Sequence, residues 1–503
     1  MRNLKYFMIA LFAIFTILSI ESCTNNNETP SVDVPTVTAP TATTVQVGNE
    51  VSMNFLVAAE GKIGEVTVTA SDGEAVTISP SPLIGKTQGV VNVTYTAPLT
   101  DDGQTVTVSI KDQQSTPVSA SATADVNVTL APESSSELLV AKFASAPSLD
   151  GDIDDMWNLA QKLVGTTTVP SNLGPRMTYY NEDGINEDLL NIFEAYTGET
   201  NDFTMRSGYV GDDIYFLIEW EDLEDSKDRQ SWYFDPSDKL WKGEHKYANA
   251  SDDKFYEDKF AFLFPIGTVT DFSSSSCYAT CHTESTIAKD KDKHTRHYLK
   301  NEGEKIDMWH WKRVRGTHND RIDDQRITYE ETPYTSSSNG RSGDEDGQSG
   351  YSNNSQTLNN GDEDVSVPLY VIPGGTDYYW IPVAQLDNEA KKVESVDING
   401  VLTLEGGGEI DPTDDAGYDQ GTGNKRFPSI LTRDFTGGRA DLTIKAKHTG
   451  SGWVVEFTRK LDTQDDDDVV FDTTKEFPFG FAIFDNAAIA HGIKPGLNMK
   501  FEQ

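Results

Sequence analysis

Lys259-Phe260-Ala261-Phe262-Leu263-Phe264-Pro265-Ile266 is the stretch whose reading decides the fold. It is apolar almost throughout, short and rich in aromatic side chains, the pattern of a strand buried on both faces. Strand signals recur on either side of it. Met205 to Val210 runs through a turn at Gly211-Asp212-Asp213 into Ile214-Tyr215-Phe216-Leu217-Ile218-Glu219-Trp220. Later come Trp453-Val454-Val455-Glu456-Phe457 and Phe479-Gly480-Phe481-Ala482-Ile483-Phe484, with little helical periodicity anywhere. Nearer the start, residues 34–130 are rich in Val, Thr, Ser and Ala with period-two alternation, as in Val51 to Val57, Glu65 to Ala70, Val90 to Thr96, Thr105 to Ile110 and Ala122 to Leu130. Short alternating strands punctuated by Gly, Asp and Pro predict an antiparallel sandwich. The expected class is all-β, with one sandwich at 34–130, a Ser/Glu-rich link at Pro132 to Glu137, and a larger β domain at 138–503. Within the larger domain, residues 330–360 are Ser, Asn, Gly and acid, which predicts an exposed insertion without fixed structure.

The first 22 residues read as a targeting segment. Arg2 and Lys5 precede an apolar run from Tyr6 to Ile20 that is short for a membrane span. It ends at Ile20-Glu21-Ser22-Cys23, which resembles a bacterial lipoprotein cleavage site with Cys23 as the lipidated residue; ordinary secretion is the alternative, since Glu21 is unusual there. Residues 23–33 then form a polar tether. The chain of 503 residues carries a net charge of −40. So acidic a surface argues against nucleic acid and against adsorption to anionic lipid, and suits a soluble partner with a basic face.

Only three cysteines occur, and two of them stand in Ser276-Cys277-Tyr278-Ala279-Thr280-Cys281-His282. Two thiols in such a frame can add to the two vinyl groups of one haem, and the adjoining His282 can then reach the iron. The usual frame is C-x-x-C-H, and this one carries one extra residue. A disulfide between Cys277 and Cys281, or a zinc site with His282 and one of His294, His297 or His310, are the other readings of the same residues. Asp307-Met308-Trp309-His310-Trp311-Lys312 adds aromatic walls, Trp309 and Trp311, to a macrocycle or a core; on an alternating strand His310 points opposite to them. No Ser-His-Asp order, P-loop, dinucleotide fingerprint or His-Glu-x-x-His is present, so an enzyme is not supported. Asp150, Asp152, Asp154 and Asp155 resemble part of a calcium loop that lacks its distal Glu, and Asp465 to Asp468 reads as a solvated turn.

The order of pieces carries a resemblance. Asp150-Gly151-x-x-Asp154-Asp155-x-Trp157 is followed by the strands at 214–220 and 259–266, then Cys-x-x-x-Cys-His, Trp-His-Trp-Lys, and Ala482-Ile483-Phe484-Asp485-Asn486-Ala487. Over residues 138–503 the chain resembles the haem-binding domain shared by the cytochrome subunit of ethylbenzene dehydrogenase and by related molybdenum-enzyme subunits. The resemblance implies a β-sandwich related to carbohydrate-binding modules, with haem in a pocket near one end of the sheets. It makes Cys277, Cys281, His282, Trp309 and Trp311 the haem-binding residues, c-type by the cysteines, with a b-type haem as the alternative. His282 takes the place of the methionine ligand of noncovalent members. Their second ligand is a C-terminal lysine, and here His491 is the favoured counterpart, with Lys494 and Met308 as alternatives; His310 matches a tyrosine and is expected to pack. The protein is thus expected to be a lipid-anchored cytochrome of the periplasm or outer-membrane surface, an immunoglobulin-like spacer carrying a haem sandwich. It would exchange electrons with a redox partner, a molybdenum enzyme or another cytochrome. A haem-free lipoprotein that binds carbohydrate or another ligand is the alternative.

Overall fold

A computed structural model describes residues 32–73, 77–78, 83–169, 179–180, 186–187, 196, 198–244, 255–276, 299, 301–329, 340–344, 347–375, 377–413, 426–488 and 490–502. The chain divides into two compact units, one of residues 1–43, 50–96 and 103–127, the other of 44–49, 97–102 and 128–503. Both are all-β. The N-terminal unit holds Thr36–Thr38, Glu50–Ala58, Gln88–Thr96 and Thr77–Ile78 in one sheet, and Ser119–Thr129, Gln104–Asp112 and Ile63–Ala70 as neighbours in another. Alternation is strict. Met53, Phe55 and Val57 are buried while Leu56 between them is 56% exposed.

A twelve-stranded sheet dominates the second unit. In chain order its strands are β1 (Glu137–Lys142), β2 (Leu163–Thr168), β3 (Thr200–Val210), β4 (Asp213–Glu221), β5 (Lys259–Ile266) and β6 (Lys305–Lys312). They continue with β7 (Asp323–Thr328), β8 (Arg341–Gly343), β9 (Thr443–His448), β10 (Gly452–Lys460), β11 (Glu476–Phe484) and β12 (Gly492–Phe501). The spatial order is β8-β7-β6-β5-β11-β12-β2-β3-β4-β10-β9, and β1 pairs in parallel with β3 and β12. The sheet folds over itself. Phe216 of β4 lies 5.9 Å from Phe262 of β5 and 5.6 Å from Trp309 of β6, and Phe203 of β3 lies 4.8 Å from Phe481 of β11. At its far ends Ile322 donates its N–H to Leu442 O at 3.3 Å and Ile444 to Asp320 O at 3.1 Å, so the two edges meet.

The interior is built from aromatic rings. Phe260, Phe262, Phe264, Trp309, Trp311, Trp453, Phe457, Phe479 and Phe481 belong to one buried cluster. Each such side chain contributes about 1.5–3 kcal/mol by leaving water. The outer face of β4 is covered as well: Tyr215 and Leu217 pack with Phe143 and Trp157. The opening turn is tied down there, since Trp157 Nε1 donates to Glu456 Oε1 at 3.0 Å and the Asp150 and Gly151 N–H groups donate to Glu456 Oε2. Asp152 pairs with Lys447, and Asp154 accepts the Ser148 N–H, so these acids serve the turn.

The insertion expected to lack structure at 330–360 is folded wherever it is described. Arg341–Gly343 extends the sheet beyond β7, Tyr351–Asn353 pairs with Ile430–Thr432, and Gln356–Asn359 forms a hairpin with Asp364–Val367. Its polar sequence misleads because the apolar partners come from elsewhere: Val365 and Val367 share a core with Trp232, Trp241, Val393, Leu402 and Phe427. Among the described residues no helix is long and apolar enough to cross a membrane.

Phe262→Ala should cost the second unit about 3–5 kcal/mol in urea unfolding, the usual range for emptying a fully buried ring. Leu56→Ala, at an exposed position of the first unit, should stay within about 0.5 kcal/mol. A loss below about 1 kcal/mol for Phe262→Ala would mean that the aromatic interior is not the stabilising core.

Candidate functional site

Alternation on β5 and β6 sends the aromatic rings inward and leaves a different set of side chains on the opposite face. Register aligns Lys259 with Lys312 and Phe484, Ala261 with His310 and Ala482, and Leu263 with Met308 and Gly480. The centre of this outer face is therefore small (Ala261, Ala482, Gly480), one end is apolar and the other is basic. The apolar end joins Leu263 and Met308 to Ile306, Ile327, Val269, Phe272 and Leu299 in one buried cluster. Val169 and Tyr196 belong to that cluster too, and the Tyr196 hydroxyl donates to Asn486 O at 3.2 Å.

The basic end is dense. Lys259 Nζ donates to Ala488 O at 3.1 Å and sits 4.0 Å from the Phe484 ring centroid. Burial first, then the neighbouring Arg315, lowers its pKa well below the usual lysine value. Lys312 pairs with buried Asp323, which also takes Arg439. Arg315 pairs with Glu257, whose Oε2 accepts the Val314 and Arg315 N–H groups at 2.6 and 3.1 Å. Burial would raise the Glu257 pKa; Arg315, Arg229 and Lys259 overcome it and hold the carboxyl below its ordinary value.

His310 stands between these ends. It is 5% exposed, and neither ring nitrogen has a hydrogen-bond partner among the described residues. Burial, together with the positive charges of Lys312, Lys259, Arg341 and Arg315, pushes its pKa well below the usual histidine value, so the ring is neutral at pH 7. A neutral imidazole with an uncommitted nitrogen is a metal ligand in waiting. Its ring lies 5.7 Å from that of Phe484, on which His491 also stacks at 4.3 Å.

The structure sorts the residues proposed from sequence. Trp309 and Trp311, expected as walls to a macrocycle or a core, lie in the closed interior on the side of β6 opposite His310; both are fully buried. Lys494, an alternative ligand, pairs with Phe481 and so shares the face opposite Ala482 and His310. His491 and Met308 lie on the platform side, Met308 as part of its apolar cluster. Cys23, Cys277, Cys281 and His282 lie outside the described residues. The residue before Cys277 is placed: Ser276 is buried and its hydroxyl donates to Phe479 O at 3.4 Å, beside Gly480. Sequence reasoning gave His310 a packing role; the signal for more was its placement opposite two tryptophans on a strand flanked by Lys259 and Lys312.

Fold and site together define an all-β protein whose folded-over sheet carries an outer platform with an uncommitted histidine and a basic rim. A family model described as ethylbenzene dehydrogenase matches residues 166–495, about two thirds of the chain, and the protein belongs to that family. Membership links it to redox chemistry. No curated protein matches the sequence. Among solved structures it is similar to the SrpA adhesin from Streptococcus sanguinis (14% identity over 25% of this chain and 72% of that one, TM-score 0.18). Others are domains 4 and 5 of the S-layer protein SbsC (22% identity, 20% and 54%, TM-score 0.15) and protocadherin gamma C5 EC1-3 (11% identity, 38% and 63%, TM-score 0.19). Likenesses at TM-scores this low establish no shared fold.

Glu257→Gln leaves the buried Arg315 guanidinium without its counter-charge and should cost about 3–5 kcal/mol by urea unfolding at pH 7. The depressed carboxyl pKa sets the sign with pH: its contribution is present above the ordinary carboxylate range and is lost as pH falls through the folded value. The difference between wild type and variant should therefore shrink on acidification, and a difference that stays constant would rule out the pair as its source.

Proposed function

We propose that the protein is a haem-binding electron carrier of its family, with the haem held against the Ala261/Ala482/Gly480 platform. The observation that carries the reading is His310, a buried neutral imidazole at the centre of that face whose two nitrogens have no partner among the described residues. An orphaned buried ring is costly unless something binds it. The surroundings fit a flat macrocycle: small residues beneath, an apolar rim at Met308 and Leu263, and Lys259 and Arg315 on the side where carboxylate groups would be neutralised. Cys277 and Cys281 follow directly on Ser276 and would supply covalent attachment, with His282 as one iron ligand. For the second ligand His310 joins His491 as a candidate. A bound haem supplies a one-electron iron couple, and two protein ligands leave no open position, which favours electron transfer over oxygen chemistry. We further propose export, lipidation at Cys23, a redox protein with a basic face as partner and no catalytic activity of its own, in keeping with the net charge of −40.

A second reading, ligand binding without haem, draws on a groove of about 740 Å³ beside Trp220 and Trp453 that is lined by Thr204, Glu219 and Ser451.

The test is the visible spectrum of the full chain made in a host competent in cytochrome maturation, followed by acid–acetone extraction and a pyridine haemochrome. Haem bands that stay with the polypeptide in wild type, and extract from Cys277→Ser/Cys281→Ser, are expected. His310→Ala should shift the bands or lose haem, while Lys494→Ala should leave the spectrum unchanged. A colourless wild-type protein from such a host would overturn the proposal in favour of the groove.

A further inference from the structure

Inside the folded-over sheet, at the end away from Trp220, acidic side chains converge. Asp307 of β6 and Asp324 of β7 point inward with Trp309, because they share its side of the alternation. Asp468 reaches them from the loop between β10 and β11, and one carboxylate oxygen from each of the three lies within 4.8 Å of the others. Asp344, just past β8, is tied alongside by its N–H, which donates to Asp324 O at 3.5 Å. The four are 0%, 0%, 3% and 4% exposed.

Their hydrogen bonds are few. Asp307 Oδ2 accepts Arg459 Nη1 at 2.8 Å and the Val469 N–H at 3.0 Å, and Asp324 Oδ1 accepts the Gln325 N–H at 3.1 Å. Among the described residues Asp307 Oδ1, Asp324 Oδ2 and both oxygens of Asp344 have no hydrogen-bond partner, while Asp468 has the Thr463 side chain beside it. Arg459, itself buried, is the cation in reach, at 3.6 Å from Asp468. The neighbouring Asp467 differs: Lys305 and Arg326 neutralise it. Three clustered carboxylates on one guanidinium in a dry interior, with Asp344 close by, leave a large uncompensated charge, which must be met by protons or by a metal ion.

We propose that Asp307, Asp324 and Asp468, with Asp344 close by, bind one hard divalent cation, calcium in preference to magnesium, between the two layers of the sheet. The donors are all oxygen, and calcium takes six to eight such ligands at about 2.3–2.6 Å, using carboxylates in one- or two-oxygen modes. Magnesium keeps several waters and takes only one or two carboxylates, which suits this set poorly. A second acidic group, Asp222, Asp258 and Asp485, is a weaker candidate because both Asp258 oxygens accept backbone N–H groups, from Ser226 and Asn486.

The experiment uses the full chain stripped with EDTA and dialysed, then titrated calorimetrically with Ca²⁺ and, separately, Mg²⁺. One Ca²⁺ per chain is expected, with Mg²⁺ at least tenfold weaker and a rise in melting temperature on adding Ca²⁺. Tb³⁺ should show emission sensitised by the adjacent Trp309 and be displaced by Ca²⁺. Asp468→Asn, the member of the cluster carried by a loop, should weaken Ca²⁺ at least tenfold, whereas Asp467→Asn should leave it unchanged; Asp324→Asn adds a central variant if it folds. Absence of Ca²⁺ and Tb³⁺ binding in the folded wild type overturns the proposal and assigns the charge to protons. Binding that Asp468→Asn leaves intact overturns it equally, since the ion then sits elsewhere.

Discussion

Every feature of the larger unit depends on β5 and β6 being buried on both faces. A strand has two sides and nothing between, so a residue belongs to one environment or the other by the parity of its number. On these two strands one parity is Phe260, Phe262, Phe264, Trp309 and Trp311; the other is Lys259, Ala261, Leu263, Met308, His310 and Lys312. The aromatic parity closes the fold over β4 and β10. The mixed parity makes the platform. Neither can be altered alone, because a one-residue slip would put lysine and histidine into the aromatic interior and expose the rings.

The same parity explains what the sequence disclosed and what it hid. An apolar run as continuous as 259–266 announces burial on both sides, and the opposite orientation of His310 and the two tryptophans follows from counting residues. That the tryptophans belong to the interior does not follow from counting; it depends on which side faces β4 and β10, strands distant in the chain. Lys494 escaped for a related reason, since an irregularity between Phe479 and Phe481 shifts the register against β12 and decides the side on which it emerges.

Polar sequences were the least legible. Asp465 to Asp468 reads as a solvated turn, yet Asp467 and Asp468 are buried, because Lys305, Arg326 and Arg459 come to them from three other strands. Residues 341–359 carry few apolar side chains and still form strands, because backbone pairing with 323–328, 364–367 and 430–432 holds them. Composition measures what a segment brings, whereas these segments are ordered by what they are given.

The connectivity of the sheet also has a kinetic side. β1, the first strand of the sheet, lies in parallel between β3 and the last strand, with Glu137 opposite Asn498 and Val140 opposite Phe501. The sheet therefore remains incomplete until residues some 360 positions apart have met. Pairings so distant carry a large loop-closure cost and slow folding. A chain cut short before Asn498 would therefore leave β1 with β3 as its only neighbour in the sheet and an open row of backbone groups along its other edge.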